Sequence, residues 1–113
     1  MDKTFGQKLQ ELRRSAGLSQ RDLAEQVGVD FSYISKVEND RLPPPAADTI
    51  VKICGALGTP ADGLLALTGK VPTNVREMLT SPSARQFMRQ AQEMNLTEQE
   101  WQTLVKRLKR LRS

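Results

Sequence analysis

Histidine is absent from this chain of 113 residues, and cysteine occurs once, as Cys54. The chain therefore cannot build the His and Cys clusters that hold zinc, or the Ser–His and Cys–His pairs of nucleophilic enzymes. A single cysteine also excludes an intramolecular disulfide, and its place in the apolar stretch TIVKICGAL indicates a buried structural thiol. We expect no metal site, no cofactor and no enzymatic activity.

Aromatic residues and long apolar runs are also scarce. Only 4% of the residues are aromatic, which argues against a single-strand RNA binder, because such proteins usually stack bases on aromatic side chains. No apolar run approaches the ~18 residues that span a bilayer, and the N-terminal MDKTFGQ contains no apolar signal-peptide region. We expect a cytoplasmic protein with no membrane partner.

Positive charge is unevenly distributed. The net charge is +4, but residues 1–68 contain eight Lys and Arg against nine Asp and Glu, whereas residues 69–113 contain nine against four. A basic chain is compatible with a nucleic-acid partner. The N-terminal part, however, would have to gather its cations on one face in order to bind DNA.

The apolar residues recur with a period of about 3.6 along the whole chain, which predicts an all-α fold. Five short helices are expected before Gly69, with Ser19 and Asp30 capping the second and third and Gly28 forming the turn between them. We predict a DNA-binding domain over residues 1–69 and a helical dimerisation region over residues 70–113. The predicted helices cover about residues 4–16, 20–26, 30–39, 48–57, 61–67, 74–79, 81–94 and 97–111.

Two helices joined by a short turn that contains glycine are typical of a helix-turn-helix motif, whose second helix enters the major groove of DNA. The segment LSQRDLAEQVGV, the following YISKVEND and the preceding FGQKLQELRRSAG resemble the lambda-repressor/Cro-like (XRE) family of helix-turn-helix regulators. The resemblance covers about residues 4–67. It implies a five-helix domain that binds operator double-stranded DNA as a symmetric dimer.

The resemblance also implies roles for individual side chains. The positions that meet base edges are occupied by Phe31, Ser32 and Lys36. The positions that contact the DNA backbone, or support such contacts, are occupied by Gln20, Arg21, Tyr33, Ser35, Asn39 and Arg41. Arg13 and Glu38 match a structural ion pair between the first and third helices. Alternatively, Phe31 packs over the preceding turn, and Lys36 is merely solvated.

Two positions depart from the family pattern. Where the family often has Asn-Gly and the backbone needs a positive φ, this chain has Asn39-Asp40. Phe31 has no hydrogen-bonding group, so it would read a base by packing against the methyl group of thymine.

The last two predicted helices are amphipathic, and their apolar faces need a partner. We expect them to pair with a second copy of the chain, which would place two recognition helices about 34 Å apart. The alternatives are that they fold back on the first domain or clamp another protein, as an antitoxin would. The terminal KRLKRLR either faces solvent or meets phosphate. The predicted dimer interface consists of Phe87, Met88, Trp101, Leu104, Val105 and Leu108.

The sequence therefore predicts a sequence-specific transcriptional regulator that binds a pseudo-palindromic operator as a homodimer. Repression by blocking polymerase is the expected mode, and activation stays open because the sign of regulation depends on where the operator lies. Control by a partner protein or a peptidase is compatible with the short C-terminal region. The alternative function is an antitoxin-type or other protein-interaction module.

Overall fold

The computed structural model describes residues 2–113, and in this part of the chain helices are joined by turns and loops, with no strand. The all-α prediction is confirmed. No helix in the described residues combines the length and the apolar character needed to cross a membrane. The α-helices are α1 Phe5–Ser15, α2 Gln20–Val27, α3 Phe31–Glu38, α4 Ala47–Leu57, α5 Asp62–Thr68, α6 Thr73–Glu77, α7 Pro82–Met94 and α8 Glu98–Arg110, with a 3₁₀ helix at Met78–Thr80 between α6 and α7.

Short polar side chains begin several of these helices. Thr4, Ser19 and Thr97 each accept a hydrogen bond from a backbone N–H three residues later and belong to complete capping boxes. Ser81 caps α7, and Pro82 occupies its first position. Asp30 lies at the N-cap of α3, but its side chain makes no capping hydrogen bond among the described residues.

The start of the fifth helix was predicted one residue too early. α5 begins at Asp62, because the first hydrogen bond of its backbone ladder runs from Leu65 N to Ala61 O at 3.0 Å. Pro60 therefore precedes the helix and does not occupy its first position.

Helices α1 to α5 enclose one apolar core. α2 packs against α3 and α4, and α1 packs against α3 and α5. α4 supplies Ile50, Ile53, Cys54 and Leu57, all buried, so this helix lies at the centre of the core. Burial raises the pKa of the Cys54 thiol, as expected for a structural cysteine. The other buried apolar residues of this cluster are Phe5, Leu9, Leu23, Ala24, Ile34, Val37 and Leu64.

The chain forms two compact units, one ending at Val75 and the other running from Arg76 to Ser113. The first unit continues past Gly69 because the next residues are hydrogen-bonded to it. Lys70 Nζ donates to the carbonyls of Pro44 and Pro45, each at 2.9 Å. Thr73 donates its N–H and its hydroxyl to the carboxylate of Asp48, at 2.9 and 2.6 Å. Different functions for residues 1–69 and 70–113 stay a prediction.

The second unit buries very little of its own surface. From Arg76 to Ser113, a segment that the structure describes completely, only Ala91 is buried. Trp101 and Leu104 are half-buried, whereas the outer apolar side chains of α7 and α8 lie open. This unit therefore has amphipathic helices but almost no core of its own.

Candidate nucleic-acid interface

The α2–turn–α3 segment holds α3 with its outer face open. Gly28 turns the chain with a left-handed φ of 82°, and its N–H bonds to Ala24 O at 2.9 Å. Leu23 of α2 and Ile34 of α3 are fully buried in the same core cluster, which locks the two helices together. The side chains on the opposite side of α3 are therefore free to meet a partner.

The predicted base-contacting side chains lie on that open side. Phe31 is 40% exposed, and Ser32 and Lys36 are exposed as well. Ser32 and Lys36 are four residues apart, so they are neighbours on one helix face. Since α3 turns its buried residues the other way, these three side chains form an accessible group at the start and middle of the helix.

The predicted backbone-contacting residues are less uniform. Arg21 and Arg41 are exposed, whereas Tyr33 is half-buried against the core, and burial raises the pKa of its hydroxyl. Asn39 is exposed, and its side-chain amide donates to Ser35 O at 2.8 Å. Within the described residues, no ion pair involves Arg21, Lys36 or Arg41, so their charges are not neutralised by a carboxylate.

Arg13 and Glu38 form a buried, bidentate ion pair between α1 and α3. Arg13 Nε lies 2.6 Å from Glu38 Oε2, and Arg13 Nη2 lies 3.0 Å from Glu38 Oε1. Arg13 Nη1 also donates to Leu18 O at 2.8 Å, just before α2. Charge-assisted paired bonds of this kind are strong and directional. They join the first and third helices and the entry to the second.

Gln20 belongs to the same network, which the sequence did not indicate. Its side-chain amide donates to Glu38 Oε1 at 3.0 Å, so the first residue of α2 is bonded to the last residue of α3. The two positions are 18 residues apart, and no short-range spacing links them. The network therefore holds both ends of the helix-turn-helix in one arrangement.

Asp40 is a second residue whose role the sequence pattern did not show. Its φ is 58°, which confirms that the chain takes the left-handed conformation here without a glycine. Its carboxylate accepts hydrogen bonds from Thr4 Oγ1 at 2.7 Å and from Gly6 N at 3.2 Å. A negative charge at the start of a helix suits the helix dipole. Asp40 therefore ties the end of α3 to the beginning of α1.

Gly6 is required by the close approach of these two helices. A Cβ atom built on Gly6 would lie 2.5 Å from the carbonyl oxygens of Val37 and Glu38. These atoms belong to the backbone of α3 and cannot rotate away. A larger residue at this position would push α1 from α3 and disturb the nearby ion pair.

Arg21 and Phe31 contact each other across the turn. The Arg21 guanidinium carbon lies 4.6 Å from the centroid of the Phe31 ring, within the range of a cation–π interaction. A predicted supporting residue and a predicted base reader are thus brought together. Neither periodicity nor local spacing identifies this pair.

The residues predicted for the dimer interface lie on α7 and α8, and they are not equivalent. Phe87, Met88, Val105 and Leu108 are 48%, 49%, 43% and 65% exposed, whereas Trp101 and Leu104 are half-buried. Phe87 and Leu104 line one groove of about 310 Å³ between the two helices, together with Gln90, Ala91, Met94, Leu96, Glu100, Thr103 and Arg107. Met88 borders a different depression, beside Leu79 and Pro82.

The described part of the chain contains no candidate metal site. Residues 2–113 contain no group of three or more His, Cys, Asp or Glu side chains that could hold an ion. The chemistry available at the α3 face is hydrogen bonding, apolar contact and charge attraction.

Comparison with known proteins identifies the family. A family model described as helix-turn-helix matches residues 9–64. The transcriptional regulator RghRB of Bacillus subtilis is 38% identical over 76 residues, which are 65% of this chain and 55% of that protein. The transcriptional repressor RghR of the same organism is 35% identical over 68 residues, 60% of this chain and 50% of the repressor. The chain thus spans about half the length of these curated relatives.

One solved structure is matched over nearly the whole length of its own chain. The master regulator for biofilm formation SinR, in complex with DNA, superimposes with a TM-score of 0.52 at 31% identity. The match covers 55% of this chain and 98% of the SinR chain. Together with the buried Arg13–Glu38 pair and the open face of α3, these matches show that the chain belongs to the lambda-repressor/Cro-like (XRE) family of helix-turn-helix transcriptional regulators.

Proposed function

We propose that this regulator is a repressor that binds a pseudo-palindromic DNA operator as a homodimer. The observation that carries the proposal is the outer face of α3, where Phe31, Ser32 and Lys36 stand clear of the core. On the inner side of the same helix, Ile34 is completely buried and Glu38 is fixed in an ion pair. The helix is therefore rigidly held while its readers are accessible, which is the arrangement that major-groove recognition needs.

The three readers have different chemistries. Lys36 carries a free ammonium group that can donate to O6 and N7 of guanine. Ser32 can donate or accept one hydrogen bond at a base edge. Phe31 offers only apolar contact, for which the methyl group of thymine is the matching feature in the major groove. A half-site with at least one G·C and one T·A pair follows from this set.

Contacts with the DNA backbone add affinity without sequence preference. Arg21 and Arg41 are exposed and have no carboxylate partner among the described residues, so both can neutralise phosphates. Gln20, Tyr33, Ser35 and Asn39 are proposed to support these contacts. Two cations per subunit give a modest affinity, which makes a second subunit important.

The proposed dimer interface is the apolar surface of α7 and α8. Phe87, Met88, Val105 and Leu108 are largely exposed in a unit that buries only Ala91 among residues 76–113. Apolar side chains of this size are stabilised by about 1.5 to 3 kcal/mol each when fully buried. Trp101 and Leu104, already half-buried, would form the base of the interface. A two-fold contact of this surface with itself would give the symmetry of the operator.

Repression by occlusion is the simplest mechanism for such a dimer. Two recognition helices in successive major grooves would cover about one helical turn of DNA between their centres and block polymerase there. The names of the relatives favour this sign of regulation, since RghR is described as a transcriptional repressor. The mechanism needs no catalytic step and no cofactor. Control by a partner protein or a peptidase belongs to the same proposal.

The test is selection of bound duplexes from a random pool with the purified full-length protein at near-physiological salt. The proposal predicts an enriched inverted repeat with half-sites about one helical turn apart. Enrichment of a single unrepeated site would contradict the homodimer. If no sequence is enriched, the DNA-reading role is wrong, and the apolar faces of α7 and α8 would then mark an antitoxin-type or other protein-interaction module.

A further inference from the structure

Arg21 and Phe31 form a cation–π pair. The proposed function gives each residue a separate role and does not explain their contact. Arg21 is the second residue of α2, and Phe31 is the first residue of α3. The guanidinium carbon lies 4.6 Å from the ring centroid. The pair thus spans the turn of the helix-turn-helix at the end of α3 from which base-contacting side chains project.

Phe31 is not a core residue that happens to be partly open. Phe31 is outside the buried core cluster, whereas Val27, Val29 and Tyr33 on either side are half-buried against that cluster. The ring is 40% exposed, and Arg21 is its ring partner.

We propose that Arg21 is a positioning residue that holds the Phe31 ring as a reader of the 5-methyl group of a pyrimidine in the major groove. This inference rests on the proposed function, since it requires that α3 reads DNA. The matching feature is the methyl group of thymine or of 5-methylcytosine, two sources of the same chemistry. Arg21 itself need not touch the base.

The phenyl ring of Phe31 limits what this side chain can recognise at a base edge. A phenyl group offers no donor or acceptor, so of the features at base edges only a methyl group suits it. A cation over one face occupies that face and restricts rotation of the ring, which leaves the other face and the edge for the DNA. An unrestrained ring would lose side-chain entropy on binding, and prior restraint reduces that loss.

Arg21 can carry out this role and still contact phosphate. Guanidinium has five N–H donors, and a contact with one ring leaves donors free for a phosphate. Among the described residues Arg21 has no carboxylate partner. Replacing Arg21 should therefore change two separate quantities, the overall affinity and the discrimination between methylated and unmethylated pyrimidines.

The experiment measures dissociation constants of the full-length protein on the selected operator, with one pyrimidine changed symmetrically in both half-sites. In one arm each thymine is replaced in turn by deoxyuridine, and in the other each cytosine by 5-methylcytosine. One buried methyl group corresponds to about a fourfold change in affinity per half-site. The inference predicts such a loss at one thymine, or such a gain at one cytosine, and the arm that responds identifies the source of the methyl group.

Variants then separate positioning from simple charge. With Phe31→Ala the ratio of affinities for methylated and unmethylated duplexes should fall to about one, and with Arg21→Gln to less than about twofold per half-site. Arg21→Lys should keep more of this discrimination than Arg21→Gln, because an ammonium group also makes a cation–π contact with a ring. Arg41→Gln is the matched control. It removes an exposed cation with the same proposed phosphate role, so it should weaken binding to all duplexes equally and leave the discrimination unchanged.

Several results would overturn the inference. Equal affinity for methylated and unmethylated duplexes at every position would do so while leaving the proposed function intact, as would discrimination that persists in Phe31→Ala. An Arg21→Gln protein that loses affinity but keeps the full wild-type discrimination would reduce Arg21 to a phosphate contact. If no operator is enriched at all, the proposed function and this inference fail together. Melting curves of each variant check that the exposed substitutions leave the fold unchanged.

Discussion

The unit that ends at Val75 and the unit from Arg76 to Ser113 use the same kind of helix in opposite ways. In the first, Leu9, Ile34 and Ile50 have no exposed surface, and one core joins five helices. In the second, Phe87 and Leu108 lie open, and only Ala91 is buried in this fully described segment. Amphipathic periodicity is thus enough to identify a helix, but it does not tell what covers its apolar face.

The two units also differ in charge. Nine basic and nine acidic residues precede Arg76, whereas eight basic and four acidic residues lie from Arg76 onward. The first unit cannot attract DNA through its net charge, so the free cations near α3 have to act locally. Some of its acidic residues stabilise the fold, since Glu38 forms an ion pair with Arg13 and Asp40 accepts a hydrogen bond from Gly6 N at the start of α1. In the first unit the positions of individual charges therefore matter more than the net charge.

The largest effect is expected from breaking the buried ion pair of the first unit. Glu38→Ala leaves the Arg13 guanidinium buried without its carboxylate and frees Gln20, which should lower the free energy of unfolding by about 3 to 5 kcal/mol. Denaturant unfolding of the full-length protein measures it. Glu11→Ala is the control, because Glu11 pairs with Lys3 and Lys8 at the surface and should cost at most about 1 kcal/mol. Equal losses would contradict the central position given to Glu38.

A second large effect concerns the open face of the second unit. Phe87→Ser combined with Leu108→Ser should raise the dimer dissociation constant at least about 100-fold, or about 2.7 kcal/mol, because two large apolar side chains leave the interface. Sedimentation over a concentration series measures it. Val51→Ser combined with Leu67→Ser removes apolar side chains of similar exposure from the first unit and should leave the dimer unchanged. A wild-type chain that stays monomeric would refute the interface.

The close approach of α1 and α3 predicts a smaller but clear loss. Gly6→Ala should destabilise the chain by about 2 kcal/mol, because the new methyl group meets two backbone carbonyl oxygens. Gly55→Ala is the matched control, since no atom lies near its Cβ position in α4, and it should stabilise the chain by about 0.5 to 1 kcal/mol. Thermal melting of both variants would show opposite shifts. Melting temperatures that shift in the same direction would mean that α1 and α3 leave room for a Cβ atom at position 6.

The smallest of these effects tests the DNA-reading face. Lys36→Ala should weaken operator binding by about 1 to 2 kcal/mol and relax the preference at one base pair, with stability unchanged. Lys52→Ala removes another exposed cation, on α4, and should change affinity by less than about 0.5 kcal/mol. Anisotropy titrations on operator variants measure both. A uniform loss on all sequences would make Lys36 a phosphate contact.

Much of the first unit is predictable from local signals. Apolar spacing locates α1 to α5 to within one or two residues, and the capping residue Ser19 marks the start of α2 correctly. These features depend on residues within about one helical turn of each other, which a linear pattern contains. The open face of α3 follows from the same periodicity.

The contacts that couple the helices are not predictable in this way. Asp40 reaches Thr4 and Gly6, which are 36 and 34 residues away, and Gln20 reaches Glu38. The stacking of Arg21 on Phe31 depends on the angle between two helices. Such pairs exist only after tertiary packing, so propensity and spacing contain no trace of them. The proposed partner of α7 and α8, a second copy of the chain, cannot be deduced from helical spacing either, because spacing shows only that an apolar face exists.

The number of chains bound to a selected operator tests most directly whether the protein recognises DNA as a dimer. Sedimentation of the full-length protein with duplexes carrying one half-site or an inverted repeat gives this stoichiometry. Recognition by a dimer predicts two chains on the inverted repeat, bound far more tightly than on the single half-site, with the difference abolished by Phe87→Ser and Leu108→Ser. One chain per duplex, or equal affinity for both duplexes, would contradict recognition by a dimer held together through α7 and α8.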